Sequence, residues 1–245
     1  MSGEKPIARA DYGIDAPNVV RNFLILGLLG VVGGLIWILF FRAHSLFAQQ
    51  LIGTGASCLA SAGVMVFGSK VLKLRLRERI MNQISWRGDE QVLDVGCGRG
   101  LMLVGAAKRL KSGVATGIDL WQTEDQSGNS PEKPRANALA EGVAERVQIQ
   151  TGDARQLPFA DGHFDVITSS WALHNIYDAT ERAQALGEIV RVLKPGGRLV
   201  VVDIRHTYEY AAIFKQLGIE KIRVSWPNFL FVIPTRIATG RKPSA

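Results

Sequence analysis

The 245-residue sequence has little cysteine, little histidine and a deficit of acid. Its two cysteines, Cys58 inside an apolar run and Cys97 in a glycine loop, sit at positions unsuited to pairing. A disulfide framework is thereby excluded, and a reducing compartment fits. The four histidines show no spacing that would gather metal ligands, so no metal site is expected. There is no internal repeat and no low-complexity tract, so a repeat architecture is not expected. Twenty-two acids against 29 bases give a net charge of +7, which invites a nucleic-acid reading. The placement of the bases argues against it. Lys70, Lys73, Arg75, Arg77 and Arg79, with one acid at Glu78 and aliphatic residues interleaved, directly follow a long apolar run. A basic stretch beside such a run is better suited to anionic lipid headgroups than to phosphodiesters.

The apolar runs are the most conspicuous presence. Phe23–Phe41 is 19 residues without a charge, and Leu46–Gly68 is a further 23. At about 1.5 Å of rise per residue, each is long enough to cross a hydrocarbon core of about 30 Å. Only Arg42-Ala43-His44-Ser45 separates them, which predicts a tight helical hairpin. A signal peptide would have a shorter apolar region followed by a small-residue cleavage site, and a buried core hairpin would have shorter helices. Lys5, Arg9 and Arg21 precede the first run, five bases follow the second, and the connecting loop carries Arg42 alone. The positive-inside rule then places both flanks in the cytoplasm. Gly27, Gly30, Gly33, Gly34, Gly53, Ser57 and Ser61 are candidates for close helix approach, sealing the hairpin or joining two copies. Trp37, Phe40, Phe41 and Phe47 gather near the outer ends, as interfacial aromatics do.

Beyond the hairpin, strands and helices alternate, the pattern of a parallel sheet covered on both faces. Val92-Leu93-Asp94-Val95 runs into Gly96-Cys97-Gly98-Arg99-Gly100, with glycines at alternate positions. Such a loop exposes backbone N–H groups at the mouth of a sheet and lets a ligand approach without a Cβ in the way. The dinucleotide fingerprint spaces its glycines differently, G-x-G-x-x-G, and here Leu101 stands where its third glycine belongs. A second strand, Ala115–Asp119, ends in an acid that can accept hydrogen bonds from ribose hydroxyls. A third ends at Gly152-Asp153-Ala154, a fourth runs Phe164–Ser170, and a fifth follows Lys194-Pro195-Gly196-Gly197 and ends at Asp203. Helices are predicted over 101–111, 134–142 and 179–193, and the C-terminal part reads as two more strands.

These five elements, in this order and spacing, resemble the class I S-adenosylmethionine (SAM)-dependent methyltransferases, specifically the methyltransferase type 11-like domain. The resemblance covers residues 85–242, about two thirds of the chain. It implies a Rossmann-like α/β fold with a seven-stranded sheet of order 3-2-1-4-5-7-6, helices on both faces, preceded here by two transmembrane helices. It also implies SAM as cofactor, contacted by Asp94, Gly96, Cys97, Gly98, Gly100, Asp119, Leu120, Asp153, Ala154 and Ser169. Asp119 would meet the ribose and Asp153 the adenine amino group.

Methyl transfer is an in-line displacement, and a weak nucleophile must also lose a proton. His174, with Trp171 beside it after the fourth strand, is the candidate catalytic pair. His174 serves either as a base or as a structural histidine that orients the loop. Arg205 and His206 at the fifth strand tip face the same side. Trp121–Ser130 is longer than a usual strand–helix connection, as lids are. Ser169-Ser170-Trp171-Ala172 replaces the Asn/Asp-Pro-Pro-aromatic element of enzymes that methylate nucleobase amines, so nucleic acid is not an expected partner. The expected organisation is a cytoplasmic tail (1–22), a transmembrane hairpin (23–69), a basic juxtamembrane linker (70–84) and a catalytic domain (85–245). The expected function is methylation of a small, membrane-associated or lipophilic acceptor, the bilayer itself being a partner. A catalytically silent SAM-binding module and a nucleic-acid methyltransferase are the alternatives. A chain starting near Lys70 is expected to keep SAM affinity.

Overall fold

The structure, a computed structural model, describes residues 9–41, 45–122, 129–229 and 233–244. Arg42–His44, the middle of the predicted lid (123–128), and 230–232 lie outside the described residues, as does Lys5. The described chain divides into two compact units: residues 13–74, and residues 9–12 with 75–229 and 233–244.

The first unit is a helical hairpin. Helix α1 (Pro17–Phe41) starts on a proline, whose missing N–H costs nothing at a helix's first turn. Helix α2 (Leu46–Phe67) is capped by Ser45, whose Oγ accepts from Ala48 N at 3.3 Å. Both are long and apolar enough to cross a membrane by length and composition. Their buried positions recur every seven residues: Val20, Gly27 and Gly34 on α1, and Ala48, Gly55 and Ala62 on α2. This heptad seam is made by missing side chains. A Cβ on Gly55 would lie 2.6 Å from Val31 N and 2.7 Å from Gly27 O, and one on Gly30 would lie 2.9 Å from the Gly55 Cα. Of the small residues expected to seal the hairpin, Gly27, Gly30 and Gly34 do so. Gly33 and Gly53 face open space, and Ser57 and Ser61 bond back to carbonyls one turn earlier in their own helix. At the helix ends Trp37 stacks on Phe41 and meets Phe47 edge-on. Close to the chain's entry and exit, Asp15 accepts from Ser69 Oγ at 3.0 Å and pairs with Lys73 at 2.9 Å.

After Phe67 the chain passes through one wide turn (Gly68–Leu72) into helix α3 (Lys73–Met81) without a break. The basic segment is therefore helical, and it is only partly available to lipid. Lys73 and Arg77, four apart on one face, are buried and ion-paired, Lys73 with Asp15 and Arg77 with Glu78 and Glu141.

The second unit carries a seven-stranded sheet ordered β3-β2-β1-β4-β5-β7-β6. Strands β1 (Gln91–Val95), β2 (Val114–Asp119), β3 (Val147–Thr151), β4 (Phe164–Ser170) and β5 (Leu193–Asp203) run parallel. Strand β7 (Arg236–Arg241) is antiparallel to β5 and to β6 (Glu220–Val224). The fold class and strand order agree with the sequence reading. Helices α4 (Leu101–Ala107), α5 (Glu132–Ala140) and α6 (Ala179–Val192) also fall close to expectation, α6 being started by Asp178, which accepts from Thr180 N and Glu181 N. The Lys194–Gly197 turn is a bulged entry into β5: Phe164 pairs with Leu193, yet Val166 pairs with Arg198. Helix α7 (Thr207–Gln216) has no counterpart in the sequence reading.

Alternate residues of each strand serve opposite faces. Leu93, Val95, Ile118, Ile167, Leu199 and Val201 join Leu186, Ile189, Tyr210 and Phe214 of α6 and α7 in one core cluster. On the other face residues 102–107 of α4 are buried, and Arg77 and Met81 of α3 pack so tightly on it that a Cβ on Gly105 would touch both.

The hairpin seam generates a direct test. Gly55→Val should force α1 and α2 apart and destabilise the detergent-solubilised hairpin by about 1–3 kcal/mol, the usual cost of overpacking. Gly53→Ala, facing open space, should leave the unfolding midpoint unchanged or raised. Equal behaviour of the two variants in a thermal melt would show that the seam is elsewhere.

Candidate active site

The five parallel strands end at one edge of the sheet, and the predicted cofactor loop occupies its centre. Gly96, Gly98 and Gly100 all have left-handed φ (67°, 47° and 79°), which only glycine adopts without strain. That geometry turns the loop's amides inward. Gly96 N and Cys97 N both donate to Ile118 O, Gly98 N donates to Asp119 Oδ2 at 2.8 Å, and Gly100 N donates to Cys97 O. The expectation of N–H groups exposed for a ligand is thus corrected. These four amides are used by the protein, and the glycines serve close approach instead. A Cβ on Gly96 would collide with that of Ala172, so the loop following β4 sits directly on the cofactor loop.

Asp94 lies beneath the loop, fully buried, accepting from Thr168 Oγ1 at 2.8 Å and Leu103 N at 2.9 Å. It accepts from an amide in the first turn of α4 and ties β1 to β4. Burial raises its pKa to about 7 against the pull of those two hydrogen bonds. Cys97 is likewise a packing residue: its Sγ fills the space left by Gly117, and burial pushes its thiol up.

Asp119 faces the site. Its Oδ1 accepts from Trp121 N at 2.7 Å and Asn129 Nδ2 at 3.2 Å. Trp121 in turn donates its ring N–H to Thr151 Oγ1, which ties the tip of β2 to β3. Asn129 is 8% exposed, and its Oδ1 has no hydrogen-bond partner among the described residues. Two acceptors side by side, the Asp119 carboxylate and this orphaned amide oxygen, suit a ligand that brings hydroxyl donors. The residues therefore fit the ribose of SAM. Asn129 was hidden in the predicted lid, and only the fold brings it back to Asp119.

Leu120 is exposed at the β2 tip, and Ala154 packs against the core cluster. Asp153 is held by Arg155 through the guanidinium and the backbone N–H, contacts that lower its pKa. Its acceptor capacity is committed to Arg155, which reaches on to Glu181. Ser169 is buried in β4, and its Oγ has no partner among the described residues. The sequence reading missed the Asp153–Arg155 pair, although an acid and an arginine two apart at a strand tip are visible in it.

Trp171 has a left-handed φ of 55°, unusual for a large side chain, and its N–H is tied to Val202 O. His174 follows on one short turn. Its Nδ1 lies 2.7 Å from Asp203 Oδ1, off the axis of an ideal hydrogen bond, and its backbone N–H donates to Asp203 Oδ2 at 3.2 Å. Asp203 is fully buried at the end of β5 and also accepts from Ile204 N and Tyr210 Oη. Burial, and next the Asp203 carboxylate, hold the Tyr210 phenol protonated, so it acts as donor. Sequence reasoning found His174; Tyr210 came with the unpredicted α7. Of the two other strand-tip candidates, His206 pairs with Glu209 on its own helix.

The Asp94 carboxyl titrates against the fold. Its native pKa near 7 exceeds its ordinary value of 3.8, so its contribution to stability is complete at low pH and is lost as pH rises through 7. Between pH 5 and 7 wild-type protein should lose about 2 kcal/mol relative to Asp94→Asn, which lacks this titration. Parallel stability curves for the two proteins in chemical denaturation would refute the assignment.

Residues 93–201 match the family model described as a methyltransferase domain. The chain is 38% identical over 127 residues to the ubiquinone/menaquinone biosynthesis C-methyltransferase UbiE of Roseobacter denitrificans, covering 52% of this chain and 47% of that one. It is also 38% identical over 128 residues to the demethylmenaquinone methyltransferase of Lactiplantibacillus plantarum, covering 52% and 50%. The chain thus spans about half the length of the curated relatives it matches. Among solved structures, a SAM-dependent methyltransferase from Aquifex aeolicus superposes with a TM-score of 0.54 at 19% identity, covering 69% of this chain and 91% of that one. That likeness shows the fold. Residues 93–201, with the strands that complete their sheet, are a methyltransferase domain of the SAM-dependent class.

Proposed function

We propose that this protein is a membrane-anchored SAM-dependent methyltransferase whose acceptor is a small lipophilic molecule of the quinone-precursor type. One observation carries the reading: a domain 38% identical to quinone methyltransferases shares its chain with two helices long and apolar enough to span a bilayer. Tethering raises the effective concentration of a domain only toward what is itself confined to the membrane. Trp226 and Phe229, strongly exposed on the β6–β7 connection, support it. Because Asp203 pairs with Arg236, that connection leaves the sheet at the edge that carries the site.

When bound, SAM supplies a methyl group made electrophilic by the sulfonium and leaves with the bond's electron pair on sulfur. The protein must hold the acceptor in line and accept the proton that a phenol or ring carbon loses. His174 is the residue assigned to that proton. Asp203 holds Nδ1, which directs Nε2 to the acceptor, and Tyr210 and two backbone amides hold Asp203 in turn. Asp119 and Asn129 bind the ribose, and Gly96 keeps the loop close enough for contact.

The full chain in vesicles, given SAM labelled at the methyl group, should pass label to a demethylated quinone in the bilayer and not to RNA or polar metabolites. His174→Ala should slow transfer by about 10²–10⁴-fold, the usual contribution of a general base, with SAM affinity unchanged. Label that enters RNA, or a variant with normal turnover, would sink the respective part of the proposal.

The same reading places both flanks of the hairpin on the cytoplasmic side. Lys5, Arg9 and Arg21 before the hairpin and five bases after it stand against Arg42 alone. A reporter fused after Ala245 should be active only in the cytosol; activity on the far side would reverse the topology.

A further inference from the structure

Two described residues ahead of α1, Asp11 and Tyr12, are held by side chains far along the sequence. Residues Asp11 and Tyr12 dock on the methyltransferase unit through a buried amide, Asn137 of α5, which is 4% exposed. Asn137 Oδ1 accepts from Asp11 N at 2.7 Å, while its Nδ2 donates to Asp11 O at 3.1 Å and to Arg99 O at 2.8 Å. Arg99 is the residue between the last two glycines of the cofactor loop, and its Nη1 returns to Asp11 Oδ2 at 3.2 Å. Tyr12, 6% exposed, donates to Glu141 at 2.7 Å and accepts from Arg77 Nη1 at 3.1 Å, with the Arg77 guanidinium over its ring. Two further ion pairs, Arg77–Glu141 and Lys108–Glu141, fix that anchor.

We propose that Asp11 and Asn137 are positioning residues for the cofactor loop, so that SAM affinity depends on chain lying before the first apolar helix. The physical reason is the backbone of the loop. Glycine has no intrinsic preference for the left-handed conformations at Gly98 and Gly100, so contacts from outside the loop have to select them. Asn137 pins the peptide between them at Arg99 O, Pro134 of the same helix packs against Gly100, and Asp11 pins the Arg99 side chain. Asn137 is itself held in place by the strap's main chain, which uses two of its polar atoms. Without the strap, a buried amide is left short of partners, and the loop's ordering must be supplied by SAM on binding. A chain starting near Lys70 would lose this strap together with the hairpin, so the expectation that it keeps SAM affinity is reversed.

The inference rests on SAM binding at this loop, and calorimetry on the full-length protein tests that first: no binding by wild type overturns the cofactor assignment itself. Given binding, deletion of residues 2–11 from the otherwise full chain should raise the SAM dissociation constant by about tenfold or more, the scale of hydrogen bonds lost from a buried amide. Hydrogen exchange of residues 96–100 should accelerate in the SAM-free protein, a readout independent of catalysis. Asp11→Ala, which removes the part-exposed ion pair with Arg99, should weaken SAM about two- to fivefold, and Asp11→Glu should restore it. In an Arg99→Ala background Asp11→Ala should have no further effect. The Michaelis constant for the acceptor should not move in any of these. A deletion variant with SAM affinity within about twofold of wild type and unchanged loop exchange overturns the proposal. Should the deletion variant fail to fold, Asp11→Ala decides, and equal SAM affinity in it and wild type overturns the proposal as well.

Discussion

The turn after β1 has to satisfy its own backbone, and most of the site follows from how it does so. Three glycines with positive φ point the amides of residues 96, 97 and 98 toward β2, where Ile118 O and the Asp119 carboxylate receive them. This works only in one register, with Asp94 opposite Gly117 and Val95 opposite Ile118. A slip by one residue would turn Ile118 and Asp119 to the wrong faces and leave the loop's donors buried without acceptors. The same register puts a glycine where Cys97 needs room and puts Asp94 under the first turn of α4, beside Thr168. A carboxyl in that place is strongly desolvated, and it persists because it meets an orphan helix amide and a hydroxyl at once.

Much of this was legible in the sequence because strand tips announce themselves locally. Apolar runs ending in Asp94, Asp119 and Asp203, and glycines at alternate positions, carry their meaning within a few residues. What was not legible depends on the sign of a dihedral angle or on distant chain. The inward turn of the loop amides needs positive φ at three positions, which glycine permits and does not demand. Helix α7 follows His206 in a left-handed conformation, with neither a side-chain cap nor a long apolar stripe to mark its start. Asn137 and Asp11 meet across 126 residues, and nothing near either position signals the other.

The hairpin shows the same division in simpler form. Its length and lack of charge were plain, and so was its wealth of small residues. Which of them faces the partner helix is a matter of phase. Gly27 and Gly34 lie seven apart on one side of α1, while Gly33, one residue before Gly34, is rotated about 100° away and meets nothing. The basic segment was read by composition, which overlooks that Lys73 and Arg77, four apart, share a helix face. With acids waiting at Asp15, Glu78 and Glu141, those two bases are internal counter-charges, and the outward basic face is narrower than the sequence suggests.

Two buried carboxyl groups on strands that flank β4, Asp94 on β1 and Asp203 on β5, have different work because their partners differ. Asp94 meets a hydroxyl and one amide, and burial pushes its carboxyl toward the neutral form. Asp203 meets two amides, a phenol kept protonated and an imidazole, every one of which can present a hydrogen to it. So surrounded, the Asp203 side chain fixes the orientation of the histidine. The histidine's position relative to the cofactor loop is then set by main chain rather than by side-chain fit. Trp171 N bonds to Val202 O, His174 N bonds to Asp203, and between them Ala172 rests on the bare Cα of Gly96. The loop that would hold the cofactor and the loop that would take the proton are consequently one packed piece, and a Cβ at residue 96 would separate them.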